Sequence, residues 1–265
     1  MFSIKGFLID RDGVLTVTDG EIPSEHHLGL EEISKYVKMA NTKNFPKIAI
    51  CTGREWGSAE SAYFDIGRPE GWSGIIESGV FVADFTAKKI RKNPALTKEI
   101  EDAFQEISRS RIPQVLAQYP KEDLFLYPGN QVCIAIERRP ESRVIIEQLA
   151  QDVRQQLNDL IDEKIVTVHA SSIAVDISPA AIDKYLGVLF FCELTGIKPE
   201  ELFGIGDSLG DEPMFKAAGQ IGCPANANDS CKKLVKERGG IPSDLPYAAG
   251  VVNIFYRATG VRPPA

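Results

Sequence analysis

The sequence predicts an α/β fold: a parallel sheet with helices on both faces, carrying an inserted α+β module. Three observations lead there. Short apolar runs alternate with helix-like segments toward both ends of the chain, the middle switches to paired strands joined by tight turns, and 265 residues exceed the usual size of one domain.

The apolar runs at Gly6–Ile9, Lys47–Cys51, Gly74–Ile76, 202–206 and Gln220–Cys223 are short and rich in β-branched and aromatic residues, as buried parallel strands are. Between them, 24–42 reads as a helix with Ile33, Val37 and Ala40 on one side, and 56–66 as a shorter one. Segment 183–195 is strongly apolar, with Tyr185, Leu186, Val188, Leu189, Phe190 and Phe191, as a helix packed on a sheet would be. The middle runs helix 96–118, strands 124–127 and 131–137, helix 141–160, then strands 164–169 and 172–177. That αββαββ order, with turns such as Pro128-Gly129-Asn130, predicts an antiparallel sheet backed by helices. The expected division is a core of 1–84 and 180–265 around an insert of 85–179.

A formal charge of −7 argues against a nucleic-acid or anionic-membrane surface. Five scattered cysteines without a Cys-x-x-Cys pair read as reduced core residues. The chain opens on a strand-like run with no secretory pattern, and no apolar stretch approaches the roughly 20 residues that span a bilayer. The expectation is a cytoplasmic protein that binds a small ligand locally, with a homodimer left open.

Chemistry concentrates at the predicted strand ends, where open parallel sheets bind ligands. In Phe7-Leu8-Ile9-Asp10-Arg11-Asp12-Gly13, two carboxylates two residues apart in an extended chain project to one side. Their repulsion is relieved by a proton or by a hard divalent cation; an acidic turn is the plainer alternative. Thr52-Gly53-Arg54 ends the next strand with a hydroxyl and backbone N–H groups suited to phosphoryl oxygens, or with an ordinary turn. Lys184 opens an apolar helix, where its charge opposes the helix dipole unless an anion lies close. Asp207 and Asp211 form a second acidic pair spaced to share an ion, or to cap a helix. A dinucleotide fingerprint beginning Gly204-x-Gly206 fails, because Gly210 comes one place late and Asp207 would face the pyrophosphate.

In that order, Asp10-x-Asp12-Gly13-Val14-Leu15-Thr16, Thr52-Gly53-Arg54, Lys184 and Gly206-Asp207-x-x-x-Asp211 resemble the four motifs of the haloacid dehalogenase (HAD) superfamily phosphatases with a C2-type cap. The resemblance implies a Rossmann-like core, with 85–179 as the cap that selects substrate. It also implies a Mg2+-dependent phosphatase that hydrolyses a small phosphate monoester, such as a sugar phosphate or a phosphoglycolate-like acid, through an aspartyl-phosphate. Asp10 would be the nucleophile and Asp12 the general acid and base. Thr52, Gly53 and Lys184 would bind phosphate, and Asp10, Asp12 through its backbone carbonyl, Asp207 and Asp211 would hold the metal. A phosphomutase and a non-catalytic metal- or phosphate-binding regulator are the alternatives. Gly210 and Ser78 stand where many such relatives have Asn. In the insert, Arg138, Arg139, Tyr127, Gln131 and His169 are weaker candidates for substrate contact.

Overall fold

The computed structural model describes residues 4–264 except 19, 122 and 172. Along the chain, β1 (Gly6–Ile9), α1 (Ser24–Asn41), β2 (Lys47–Cys51), α2 (Trp56–Asp65), β3 (Gly74–Ile76), β4 (Phe81–Asp84) and β5 (Lys89–Lys92) come first. Then follow α3 (Lys98–Glu106), α4 (Ile112–Leu116), β6 (Leu124–Leu126), β7 (Ile134–Arg138), α5 (Ile146–Gln156), α6 (Asn158–Asp162), β8 (Val166–Ala170) and β9 (Ala174–Pro179). The chain closes with α7 (Lys184–Thr195), β10 (Leu202–Ile205), α8 (Glu212–Ala217), β11 (Gln220–Cys223), α9 (Asp229–Glu237), β12 (Ile241–Pro242) and α10 (Tyr247–Thr259).

The first compact unit, Met1–Asn93 with Lys184–Ala265, is built on one sheet of order β12-β11-β10-β1-β2-β3-β4-β5. Strands β12 to β3 run parallel, and β4 and β5 add an antiparallel edge. Alternation in β1 sorts its side chains between two layers. Phe7 stacks into an aromatic cluster with Phe255 of α10, at 4.5 Å between centroids, and with Phe45 and Phe203. Leu8 faces the other way, into the cluster holding Val188 and Phe191 of α7 and Phe215 of α8. Each of these fully buried side chains contributes about 1.5–3 kcal/mol. Helices therefore cover both faces, as expected.

The second unit, Pro94–Asp183, has its own antiparallel sheet of order β6-β7-β9-β8, with α5 packed on β8 and β9. Its borders differ from the expected 85–179. The charged run Lys89–Lys92 pairs with β4 and continues the core sheet, so the core holds the chain to Asn93, whose N–H donates to Val80 O at 2.8 Å.

The expected helix 96–118 is broken by a π-helix over Ile107–Arg111. Pro113, at the start of α4, has no N–H to return to the preceding turn, and the chain widens just before it. The expected helix 141–160 begins only at Ile146 and is interrupted at Leu157, whose φ of −111° leaves the helical region. Ser142 Oγ instead accepts from Val144 N–H at 3.1 Å, a local turn that competes with helix. Ser172, where the last expected strand begins, lies outside the described residues.

Candidate active site at the carboxyl ends of β1, β2 and β10

β1 lies between β10 and β2, so the sheet reverses its direction of winding there and leaves a crevice at the strand ends. Asp10 follows β1, Thr52 follows β2 and Asp207 lies just beyond β10, while Lys184 opens α7. All of them belong to the first unit.

One carboxylate oxygen from each of Asp10, Asp207 and Asp211 lies within 4.8 Å of the others. Lys184 Nζ donates to Asp10 Oδ1 at 2.9 Å and to Asp211 Oδ1 at 2.6 Å, with all three side chains almost wholly buried. The far oxygen of Asp211 accepts from the backbone N–H of Asp207 at 3.0 Å and of Ser208 at 3.4 Å, so this residue also closes its own loop.

Two glycines permit the crowding. Gly13 has φ +74°, and a Cβ there would fall 2.2 Å from Asp207 Oδ2; a Cβ on Gly206 would fall 2.3 Å from Asp211 Oδ2.

The electrostatics are those of a site short of positive charge. Burial, then the charge of Asp211, pushes the Asp10 carboxyl up to about 8 against the pull of Lys184. Burial and Asp211 likewise raise Asp207 to about 6. Burial works against the Lys184 ammonium, but Asp10 and Asp211 outweigh it and hold its pKa well above the lysine value. Three carboxylates against one ammonium, in a set of hard oxygen donors of which Asp10 and Asp211 are buried and Asp207 partly so, fit a divalent cation.

Asp12 stands apart from that cluster. Its carboxylate is half-buried and bracketed by two guanidiniums: Arg54 Nε donates to Oδ2 at 2.9 Å, and Arg11 Nη1 donates to Oδ1. Arg11 is itself held by Ser58 O at 3.1 Å. Thr52 is buried, and its Oγ1 accepts from Arg54 N–H at 3.1 Å, leaving its hydroxyl proton to donate. Gly53 is exposed beside Ser78, whose Oγ would lie 3.2 Å from a Cβ at that position. Ser78 itself has φ 55°, a left-handed conformation uncommon for a residue with a side chain and one that Asn would tolerate better.

In the second unit, Arg138 donates to Val144 O at 3.2 Å and Arg139 lies over the Phe125 ring at 5.1 Å, so both are engaged locally. His169 is exposed. Tyr127 and Gln131 line a cleft of about 240 Å³ together with Phe104, Arg109 and Asn130.

The family model described as haloacid dehalogenase-like hydrolase matches residues 142–240, which include Lys184, Asp207 and Asp211. A phosphoglycolate phosphatase of Methanosarcina mazei is 27% identical over 232 residues, 87% of this chain and 87% of that protein. Over residues 142–240 the chain is similar to the haloacid dehalogenase-like hydrolases. Another phosphoglycolate phosphatase, from Methanospirillum hungatei, is 35% identical over 101 residues, but the match spans only 42% of its length and 38% of this chain. Among solved structures, a Thermoplasma acidophilum protein superposes with a TM-score of 0.65 at 20% identity, over 96% of this chain and 98% of that one. The sucrose-phosphatase of Synechocystis gives 0.63 at 18% identity, over 97% and 98%. These last two likenesses carry the fold. Of the residues at this site, Asp10, Asp12, Thr52, Lys184, Asp207 and Asp211 stand out in the sequence. The guanidiniums on Asp12 do not stand out there; for Arg11 the signal available was an arginine between two aspartates.

Proposed function

We propose that the protein is a Mg2+-dependent phosphatase that hydrolyses a small phosphate monoester, a sugar phosphate or a phosphoglycolate-like acid, through an aspartyl-phosphate on Asp10. The observation that carries this reading is the buried Asp10 carboxylate, held by Lys184 and grouped within 4.8 Å of Asp207 and Asp211. The phosphoglycolate phosphatases among its relatives favour the substrate class.

A carboxylate of Asp10 attacks phosphorus, forming an O–P bond as the ester P–O bond breaks, and the departing oxygen takes a proton from Asp12. Asp12 then removes a proton from water, whose oxygen attacks the acyl phosphate; phosphate leaves and the Asp10 carboxylate is restored. Arg11 and Arg54 contact different oxygens of Asp12 and orient its carboxyl toward the site; protonation makes one of these oxygens an O–H donor and weakens it as an acceptor. Lys184 and the Thr52 hydroxyl bind phosphoryl oxygens and neutralise charge that grows in the transition state. Asp10, Asp207, Asp211 and the Asp12 backbone carbonyl would hold Mg2+, which when bound shields the nucleophile from the anionic phosphate.

A panel of phosphate monoesters, assayed for inorganic phosphate with Mg2+ and after exhaustive chelation, tests the reading. Release that disappears on chelation is expected. Release undiminished by chelation, or movement of phosphate between positions of a sugar without release, would overturn it.

The raised carboxyl of Asp10 gives a second expectation. A folded pKa of about 8, above the ordinary 3.8, contributes stability that is complete below 3.8 and lost as pH rises through about 8. Metal-free protein should therefore melt lower as pH climbs across that window. Mg2+, which competes with the proton, should raise the melting temperature more at pH 8 than at pH 6. Scanning fluorimetry at both pH values checks this; an equal Mg2+ shift at the two would refute it.

A further inference from the structure

The loop from Ala225 to Asn228, between β11 and α9, grips both acidic segments. Asn226 Nδ2 donates to the Gly13 carbonyl at 2.7 Å, while its Oδ1 accepts from Tyr247 N–H at 2.7 Å. Two residues on, Asn228 N–H donates to the Asp207 carbonyl at 2.9 Å, and its side chain caps α9 through Cys231 N–H at 2.8 Å. The loop is itself fixed to the chain before α10, with Ala225 N–H donating to Leu245 O at 2.9 Å.

Gly13 is the place where this grip matters. Its α-carbon packs against the Asp207 carboxylate, so a shift of Gly13 moves one acidic segment against the other. The backbone N–H groups of residues 13–16 donate within their own turn, from Gly13 to Thr16 O and from Val14, Leu15 and Thr16 to Arg11 O. They hold the shape of the turn and leave its position relative to Asp207 to outside contacts. Asn226 supplies such a contact, and its second bond anchors it at Tyr247, whose φ of 47° is left-handed for a residue with a side chain.

We propose that Asn226 is a positioning residue: the N–H of Asp10 is already tied to Ile205 O at 2.8 Å, and Asn226, by holding the Gly13 carbonyl, sets the Asp12–Gly13 backbone beyond it at the separation from Asp207 that the shared cation requires. This rests on the reading of the carboxylate cluster as a Mg2+ site. Partners that orient metal ligands are typically worth 10–100-fold in affinity or activity.

Asn226→Asp keeps an acceptor for Tyr247 N–H and loses the donor to Gly13, and Asn226→Ala loses both. Mg2+ binding is measured by calorimetry alongside melting temperature and, with a monoester that the parent hydrolyses, kcat and KM. Both variants are expected to bind Mg2+ about 10–100-fold more weakly and to lose kcat by a similar factor, with KM at saturating Mg2+ within about threefold. The added charge of Asn226→Asp, acting alone, would tighten Mg2+ binding, so weakening there isolates the lost tether. Should that variant fold poorly, Asn226→Ala carries the same binding test.

Variants that bind Mg2+ as tightly as the parent overturn the role of Asn226 and leave the site reading intact. A parent that binds no Mg2+ overturns both.

Discussion

Asp10→Asn is expected to lower turnover of any phosphate monoester substrate by about 10,000-fold or more, because the amide has the shape of the carboxylate without its nucleophilicity. The amide oxygen can still accept from Lys184 Nζ, so the ammonium keeps both of its partners. Stability should move the other way from activity. The buried carboxyl of Asp10 is one the fold prefers to protonate, and an uncharged side chain removes that penalty at neutral and alkaline pH. The variant should therefore melt at or above the parent in chelator at pH 8. Phosphate release assayed alongside a melting curve checks both halves; a variant with parental turnover would remove Asp10 from the chemistry.

Asp211→Ala should show the opposite pattern, with the fold itself failing first. Asp211 is fully buried and accepts from Lys184 Nζ and from the N–H groups of Asp207 and Ser208. Truncation leaves two backbone donors without that acceptor and a buried ammonium with Asp10 alone. Breaking a buried ion pair in this way costs about 3–5 kcal/mol. For a chain of this size that is a fall of roughly 10 °C in melting temperature. Turnover should fall as well, since Lys184 and the 207–211 loop both lose their anchor. Calorimetric melting of the metal-free proteins at pH 7 decides it: a midpoint within about 2 °C of the parent would show that Asp211 does not brace the loop.

The two residues illustrate how much of the site could be read in advance. Asp10 and Asp12 stand out because strand geometry aims i and i+2 to one side, and Lys184 because a lysine opposes the dipole of the helix it opens. Spacing did not say how the pair would divide. In the structure only Asp10 joins the buried cluster, while Asp12 turns to Arg11 and Arg54. Similarly, the run Lys89–Lys92 is too charged and exposed to show as a strand; its hydrogen bonds to β4 place it in the sheet. Asn226 lies 213 positions from the carbonyl it holds, in a stretch that reads as a plain loop.

Local period and residue type already specify the buried parallel strands, the helices for both faces, an αββαββ insert and the acidic or hydroxyl groups at strand ends. These follow from side-chain alternation and propensity, which act over a few residues. Tertiary structure alone decided which charges meet. The pKa of Asp10, the pairing of Asp12 with two arginines and the tether at Asn226 depend on burial and on distances between segments far apart in the chain, and burial and distance exist only once the sheet has formed.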